Sequence, residues 1–168
     1  MSNNSFLIGI RFLVLLLLQV LIFNKLNLSI AVTPYVYVIY FILFPIKEKR
    51  VSFLFTSFLL GLAIDMFMNS GGIHAAASVT TAYFRPAILK AVFGISYETQ
   101  SLKFRQATGY QKVIIVLLLT LIHHSVLFFL ETFNLNLFLF TLTKVFLTAI
   151  FTTVLSILLI HLFRPSTK

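Results

Sequence analysis

Acid is what this chain has least of: four Asp and Glu stand against thirteen Lys and Arg in 168 residues, and cysteine and tryptophan do not occur. Without cysteine there is no thiol catalysis, no disulfide and no cysteine-ligated metal. Without tryptophan, an aromatic belt at a membrane surface falls to tyrosine, with Tyr35, Tyr37 and Tyr110 expected at segment ends. Charged residues make up only 10% of the chain, hydrophobic ones 60%, and mean hydropathy is +1.03. A single water-soluble domain of this size could not remain monomeric with such a surface. The composition is that of an all-α polytopic membrane protein with lipid around it. At about 20 residues per crossing, the chain has room for six spans and almost nothing else. The net charge of +9 would suggest nucleic acid in a soluble protein. Here the cations lie between apolar runs, where they set orientation, and nucleic acid is not an expected partner.

The stretch Val51 to Phe93 is the organising one. It reads as two apolar helices joined by the turn Asn69-Ser70-Gly71-Gly72. Ser57, Gly61 and Asp65 recur at i, i+4 and i+8, a stripe that suits protein better than lipid. On the second helix His74, Ser78, Ala82 and Arg85 share a face. A short turn makes the helices antiparallel neighbours, with small residues permitting close approach and Asp65 enclosed between them.

The expected spans are 6–23, 28–46, 51–68, 73–93, 113–133 and 138–163, with a polar loop at 94–112. The first run is longer than a signal-peptide core, and Asn24, Lys25 and Asn27 separate it from the weakly cleavage-like Ser29-Ile30-Ala31, so it reads as a retained anchor. The second is short: Thr33-Pro34 resembles a helix start and Pro45 a stop, which leaves a kinked crossing or a re-entrant segment. Charge favours the crossing. With both termini cytoplasmic, Arg11, Lys47, Lys49, Arg50, Lys90, Lys103, Arg105, Lys112, Arg164 and Lys168 fall inside, and only Lys25 and Lys144 outside. No internal repeat of the inverted-transporter kind is present. The 94–112 loop interleaves Tyr97, Leu102, Phe104 and Tyr110 with its bases, which suits either a membrane-surface segment or a solvated loop.

Ionisable residues inside a membrane need a reason. Asp65, His74, Glu131 and Lys144 are expected at similar heights in the outer third, either as an outward cavity or as interfacial snorkelling and capping. Arg85, before Pro86, lies deeper, near the height of His123 and His124. A polar line of Arg85, His124 and Thr120 is one arrangement; snorkelling by Arg85 is the other. Adjacent helical histidines point apart, so His123 and His124 suit a buried hydrogen-bonding pair better than a metal site. No zinc-helix, nucleophile-elbow or phosphate-loop motif occurs. Asp65 with His74 could be drawn as an acid and base, but with neither nucleophile nor metal beside them the sequence reads as non-enzymatic.

The order Gly61-Leu62-x-x-Asp65, a glycine turn, Gly72-Ile73-His74-Ala75-Ala76-Ala77, Arg85-Pro86, then His123-His124 and Phe128-Phe129-Leu130-Glu131 resembles the rod-shape-determining protein MreD family, in its Bacteroidota-like form. That resemblance covers essentially the whole chain. It implies six helices in the bacterial inner membrane, with a fold similar to the substrate-binding subunits of energy-coupling-factor transporters. It further implies a non-enzymatic scaffold for lateral peptidoglycan synthesis and cell shape. The implied partners are the bitopic protein MreC and, in the same complex, MreB filaments, the RodA glycosyltransferase and a class B penicillin-binding protein. No catalytic residue, metal or cofactor is implied. Gly61, Asp65 and the turn carry the family-like signature. Ser57, Gly72, His74, Arg85, His123, His124 and Glu131 complete the structural or partner-interface candidates. The competing expectations are a small-molecule-binding subunit of a membrane transporter and, more weakly, a membrane hydrolase built on Asp65 and His74.

Overall fold

The computed structural model describes residues 3–26, 33–46, 48–94, 97 and 107–162, and these form helices with no strand among them. Among the described residues, these α-helices follow in order: α1 Asn3–Leu21, α2 Ile39–Leu43, α3 Arg50–Met68, α4 Ile73–Phe93, α5 Gly109–Thr132 and α6 Phe138–Leu162. Four segments, Ser5–Lys25, Arg50–Met68, Gly109–Thr132 and Leu135–Leu162, are long and apolar enough to cross a membrane, so the chain is a multi-pass membrane protein. At 21 residues α4 is as long as its neighbours but less apolar, because Ala, Ser and Thr fill much of it.

Local chemistry sets the helix ends. Asn69 takes the left-handed conformation (φ 52°) and returns its N–H to Asp65 O, which ends α3, and Gly71 (φ 66°) and Gly72 (φ 95°) turn the chain directly into α4. The start of α5 is a capping box: Gln111 N donates to Thr108 Oγ1 at 3.3 Å, and Thr108 N donates to Gln111 Oε1 at 3.1 Å. Residues 109–112, expected in the loop, therefore belong to the helix.

The elements alternate in direction. α3 runs toward the turn end of the bundle and α4 back from it; α5 rises beside α4, and α6 descends against α5. The stretch 35–44 runs antiparallel to α1, with Gln19 bonded to Val36, Phe12 packed on Tyr40 and Arg11 bonded to Leu43.

Of the expected second span 28–46, read as a kinked crossing or a re-entrant segment, the structure describes residues 33–46. Residues 27–32 and Lys47 lie outside the described residues, as do Ser29-Ile30-Ala31, most of the polar loop with Lys103 and Arg105, and the terminal Arg164 and Lys168. Within 33–46, only the 3-10 turn Val36–Val38 and α2 are helical, together eight residues. Pro34 precedes this helix instead of opening it. Such a piece covers about 13 Å, against a hydrocarbon core of about 30 Å, so it does not cross as a straight helix of its own and its backbone is satisfied inside the protein. Among the described residues it is the most enclosed stretch: Val36, Tyr37, Val38 and Phe41 are fully buried among α1, α4, α5 and α6. Tyr35 and Tyr37 are accordingly core residues and not belt residues, while Tyr110 is exposed. The centre of the fold is this short segment, and the α3–α4 hairpin packs beside it.

Candidate functional site

The expected stripe on α3 faces α4. Ser57, Gly61 and Asp65 are all buried. Gly61 is where the two backbones meet: a Cβ built there would lie 2.5 Å from His74 O and 2.6 Å from Ala75 Cα. Only glycine allows that approach.

The approach sets Asp65 over the first turn of α4. Its Oδ1 accepts from Ser70 Oγ (2.6 Å), His74 N (3.1 Å) and His74 Nδ1 (2.9 Å), and its Oδ2 accepts from Ala75 N (2.9 Å). Gly72, the local N-cap position, has no side chain to offer, so a carboxylate from the preceding helix caps α4. An anion is favoured there by the aligned peptide dipoles. Two backbone donors, a hydroxyl and an imidazole thus hold Asp65, which is 5% exposed.

Ser70, His74 and Asp65 are three residue types of a hydrolytic triad, but the geometry is different. In a relay, nucleophile and acid occupy opposite ring nitrogens. Here Ser70 Oγ (2.9 Å) and Asp65 Oδ1 both meet His74 Nδ1, while Nε2 is enclosed near the rings of Tyr35 and Tyr37. Ser70 gives its proton to Asp65, and the cluster works as a cap.

The short central segment is held at both ends. At its start Gln19 Oε1 accepts from Val36 N (2.8 Å) and Tyr37 N (3.4 Å), and Gln19 Nε2 donates to Pro34 O (3.1 Å). At its end Arg11 Nη1 donates to Leu43 O (2.9 Å), and Arg85 Nη2 donates to Ile42 O and Phe44 O. Two cations on the last carbonyls match the negative end of a helix. Arg85 also lies over the Phe53 ring at 5.1 Å and is 5% exposed. The snorkelling arrangement is therefore not observed, and neither is the line of Arg85, His124 and Thr120. Arg85 faces the carbonyls of the central segment, which a sequence-based depth could not distinguish from the histidines' height.

The histidines do form a buried pair, with a wider reach than expected. Tyr37 Oη and His123 Nε2 are 2.6 Å apart, the His123 and His124 Nδ1 atoms 3.3 Å, and His124 Nε2 lies 3.2 Å from Thr152 Oγ1. Thr120 pairs with Thr153 at 3.0 Å instead of with His124. No group of three His, Asp or Glu arranged to hold a metal occurs among the described residues.

At the turn end the four expected polar groups resolve into two pairs. Asp65 pairs with His74, and Glu131 with Lys144 at 2.8 Å, the Lys144 ammonium also lying 4.4 Å from the centre of the Phe128 ring. Both pairs border an open groove of about 550 Å³ lined by Tyr35, Ser70, His74, Leu130 and Glu131. No protein-family profile, curated protein or solved structure matches this chain.

Gln19, Ser70 and Thr152 were missed by sequence reasoning. Gln19 carried a readable signal, as the one amide within the apolar run Phe6 to Phe23. Thr152 carried none, since threonines recur throughout α6.

Proposed function

We propose that the chain is a non-enzymatic scaffold subunit of the bacterial cell-elongation complex, as its resemblance to the MreD family implies. In this reading it crosses the inner membrane six times with both termini cytoplasmic, in a fold akin to the energy-coupling-factor binding subunits. The turn end of the bundle is then external. MreC is the direct partner, and MreB, RodA and a class B penicillin-binding protein belong to the same assembly. The observation that carries the reading is the saturation of Asp65: its four bonded donors come from this chain's own hairpin. A carboxylate so occupied stiffens a platform and offers no free acid or base for turnover. The reversal of direction at each successive element, the short segment 35–44 included, supports the six-pass arrangement.

Co-purification from native membrane, followed by identification of the bound proteins, tests this directly. A bitopic protein and cell-wall synthases should be recovered, and the Asp65→Leu protein should recruit them less well. Normal recruitment by a folded Asp65→Leu protein would remove Asp65 from the mechanism, and recovery of transporter ATPases instead would overturn the scaffold reading.

The alternative is a small-molecule-binding subunit of a transporter, favoured by the groove beside Tyr35, His74 and Glu131. A small molecule retained through purification and lost in Glu131→Gln would support it.

A further inference from the structure

Charge is unevenly spread along the bundle. The end away from the α3–α4 turn collects Arg11, Lys49, Arg50, Arg85, Lys90 and Lys112, because α3 starts there, α4 ends there and α5 starts beside the end of α4. Glu48 is the one acid described at that end, while Asp65 and Glu131 lie at the other. Two of these cations are already committed: Arg11 and Arg85 donate to carbonyls at the end of α2. Lys49 and Arg50 are exposed, and no acid among the described residues pairs with either.

Arg50 instead rests on an aromatic ring. Its guanidinium carbon lies 4.8 Å from the centre of the Tyr83 ring, on the outward face of α4, where Tyr83 is 54% exposed. A guanidinium held by its face keeps its N–H donors at the rim, in the fork that matches two oxygens of a phosphate. Next on that face of α4 come Ala87, small and exposed, and Lys90, also exposed, one and two turns beyond Tyr83. The surface beside the Arg50 fork is therefore open, with a further cation past it.

The depth is that of a lipid headgroup. The span Arg50–Met68 has 19 residues, about 28 Å of helix, close to the hydrocarbon thickness of about 30 Å. Its first residue thus reaches the level of lipid phosphate. Deeper along α3, exposed Val51 and Phe55 stand one turn apart and make an apolar track that an acyl chain can follow. A water-soluble anion would gain nothing from that track.

We propose that Arg50, clasped on Tyr83, forms with Lys49 and Lys90 a binding site for one anionic phospholipid, its phosphate on the Arg50 fork and an acyl chain along Val51 and Phe55. Charge complementarity selects this occupant over a zwitterionic lipid, whose own ammonium would enter a field of like sign. Such a site is independent of the scaffold reading.

The test is native mass spectrometry of the intact protein in detergent, titrated with phosphatidylglycerol or with phosphatidylcholine of the same chains. One phosphatidylglycerol should be retained in preference to phosphatidylcholine. Arg50→Gln should weaken its affinity about five-fold, the share of one cation near a membrane surface, and Tyr83→Leu should weaken it in the same direction. Lys25→Gln, at the opposite end of the bundle, should leave it unchanged. Because Arg50 is exposed, the denaturation midpoint of Arg50→Gln without added lipid should match that of the parent. Equal retention of the two lipids, full affinity in Arg50→Gln, or equal losses in Arg50→Gln and Lys25→Gln would each overturn the proposal, the last by showing attraction to net charge alone. Displacement of the lipid by millimolar inorganic phosphate would overturn it as well, by showing a site for the free anion.

Discussion

The two long hairpins of this bundle meet the same difficulty, polar groups inside an apolar fold, and resolve it differently. In α3–α4 the helices are pressed together at Gly61 until a carboxylate of one can cap the other. In α5–α6 threonine and histidine side chains reach across to one another. The first arrangement concentrates stability in a few irreplaceable atoms. The second distributes it over several modest bonds, so the two hairpins should differ sharply in their tolerance of substitution.

The largest effect is expected at Gly61. Gly61→Ala forces a methyl group into the α4 backbone and should lower stability by about 3 kcal/mol or more, read as the midpoint of denaturation in mixed detergent. Gly9→Ala is the matched control, because a Cβ at Gly9 meets nothing within 4 Å; it should be neutral or slightly stabilising, by up to about 1 kcal/mol. If the two behave alike, close approach is not what distinguishes the hairpins. Next in size is Asp65→Asn, which keeps the shape but turns an amide toward one of the backbone N–H donors. A loss of about 2 to 3 kcal/mol is expected, with earlier hydrogen exchange at the His74 and Ala75 amides than elsewhere in α4. On the other hairpin, Thr152→Val removes a single bond to His124 and should cost about 1 kcal/mol. A cost matching that of Asp65→Asn would erase the contrast. Smallest is Glu131→Gln: its partner Lys144 remains over the Phe128 ring, and a partly exposed ion pair contributes under about 1 kcal/mol, so the midpoint should barely move and should lose its weak salt dependence.

How much of this was readable in advance follows the range of the interactions. The α3–α4 turn and the enclosure of Asp65 were legible because the relevant residues are close in sequence and helical periodicity fixes their faces. The same locality explains why His123 and His124 could be placed as a buried pair. The central segment was not legible, since its length says only that it is too short for a simple crossing. Its structure depends on Gln19, Arg11 and Arg85, which arrive from two other helices. Arg85 illustrates the limit: its depth along α4 was apparent, but the choice between histidines and carbonyls as its partner depends on how α2 lies against it. Tyr35 and Tyr37 failed for a related reason, because their position near a segment boundary suggested an interface when that boundary lies inside the bundle.

The doubly held central segment bears on how the protein is made. A piece of eight helical residues with open backbone groups at both ends has no stable residence of its own in a bilayer, and one of the residues that quiets its carbonyls is Arg85, encoded some forty positions later. The end of the segment is thus completed by two arginines on either side of it in the chain, Arg11 before it and Arg85 after it. An early piece of the chain is in this way completed by a residue encoded much later, so the bundle's centre is a joint product of both halves of the chain.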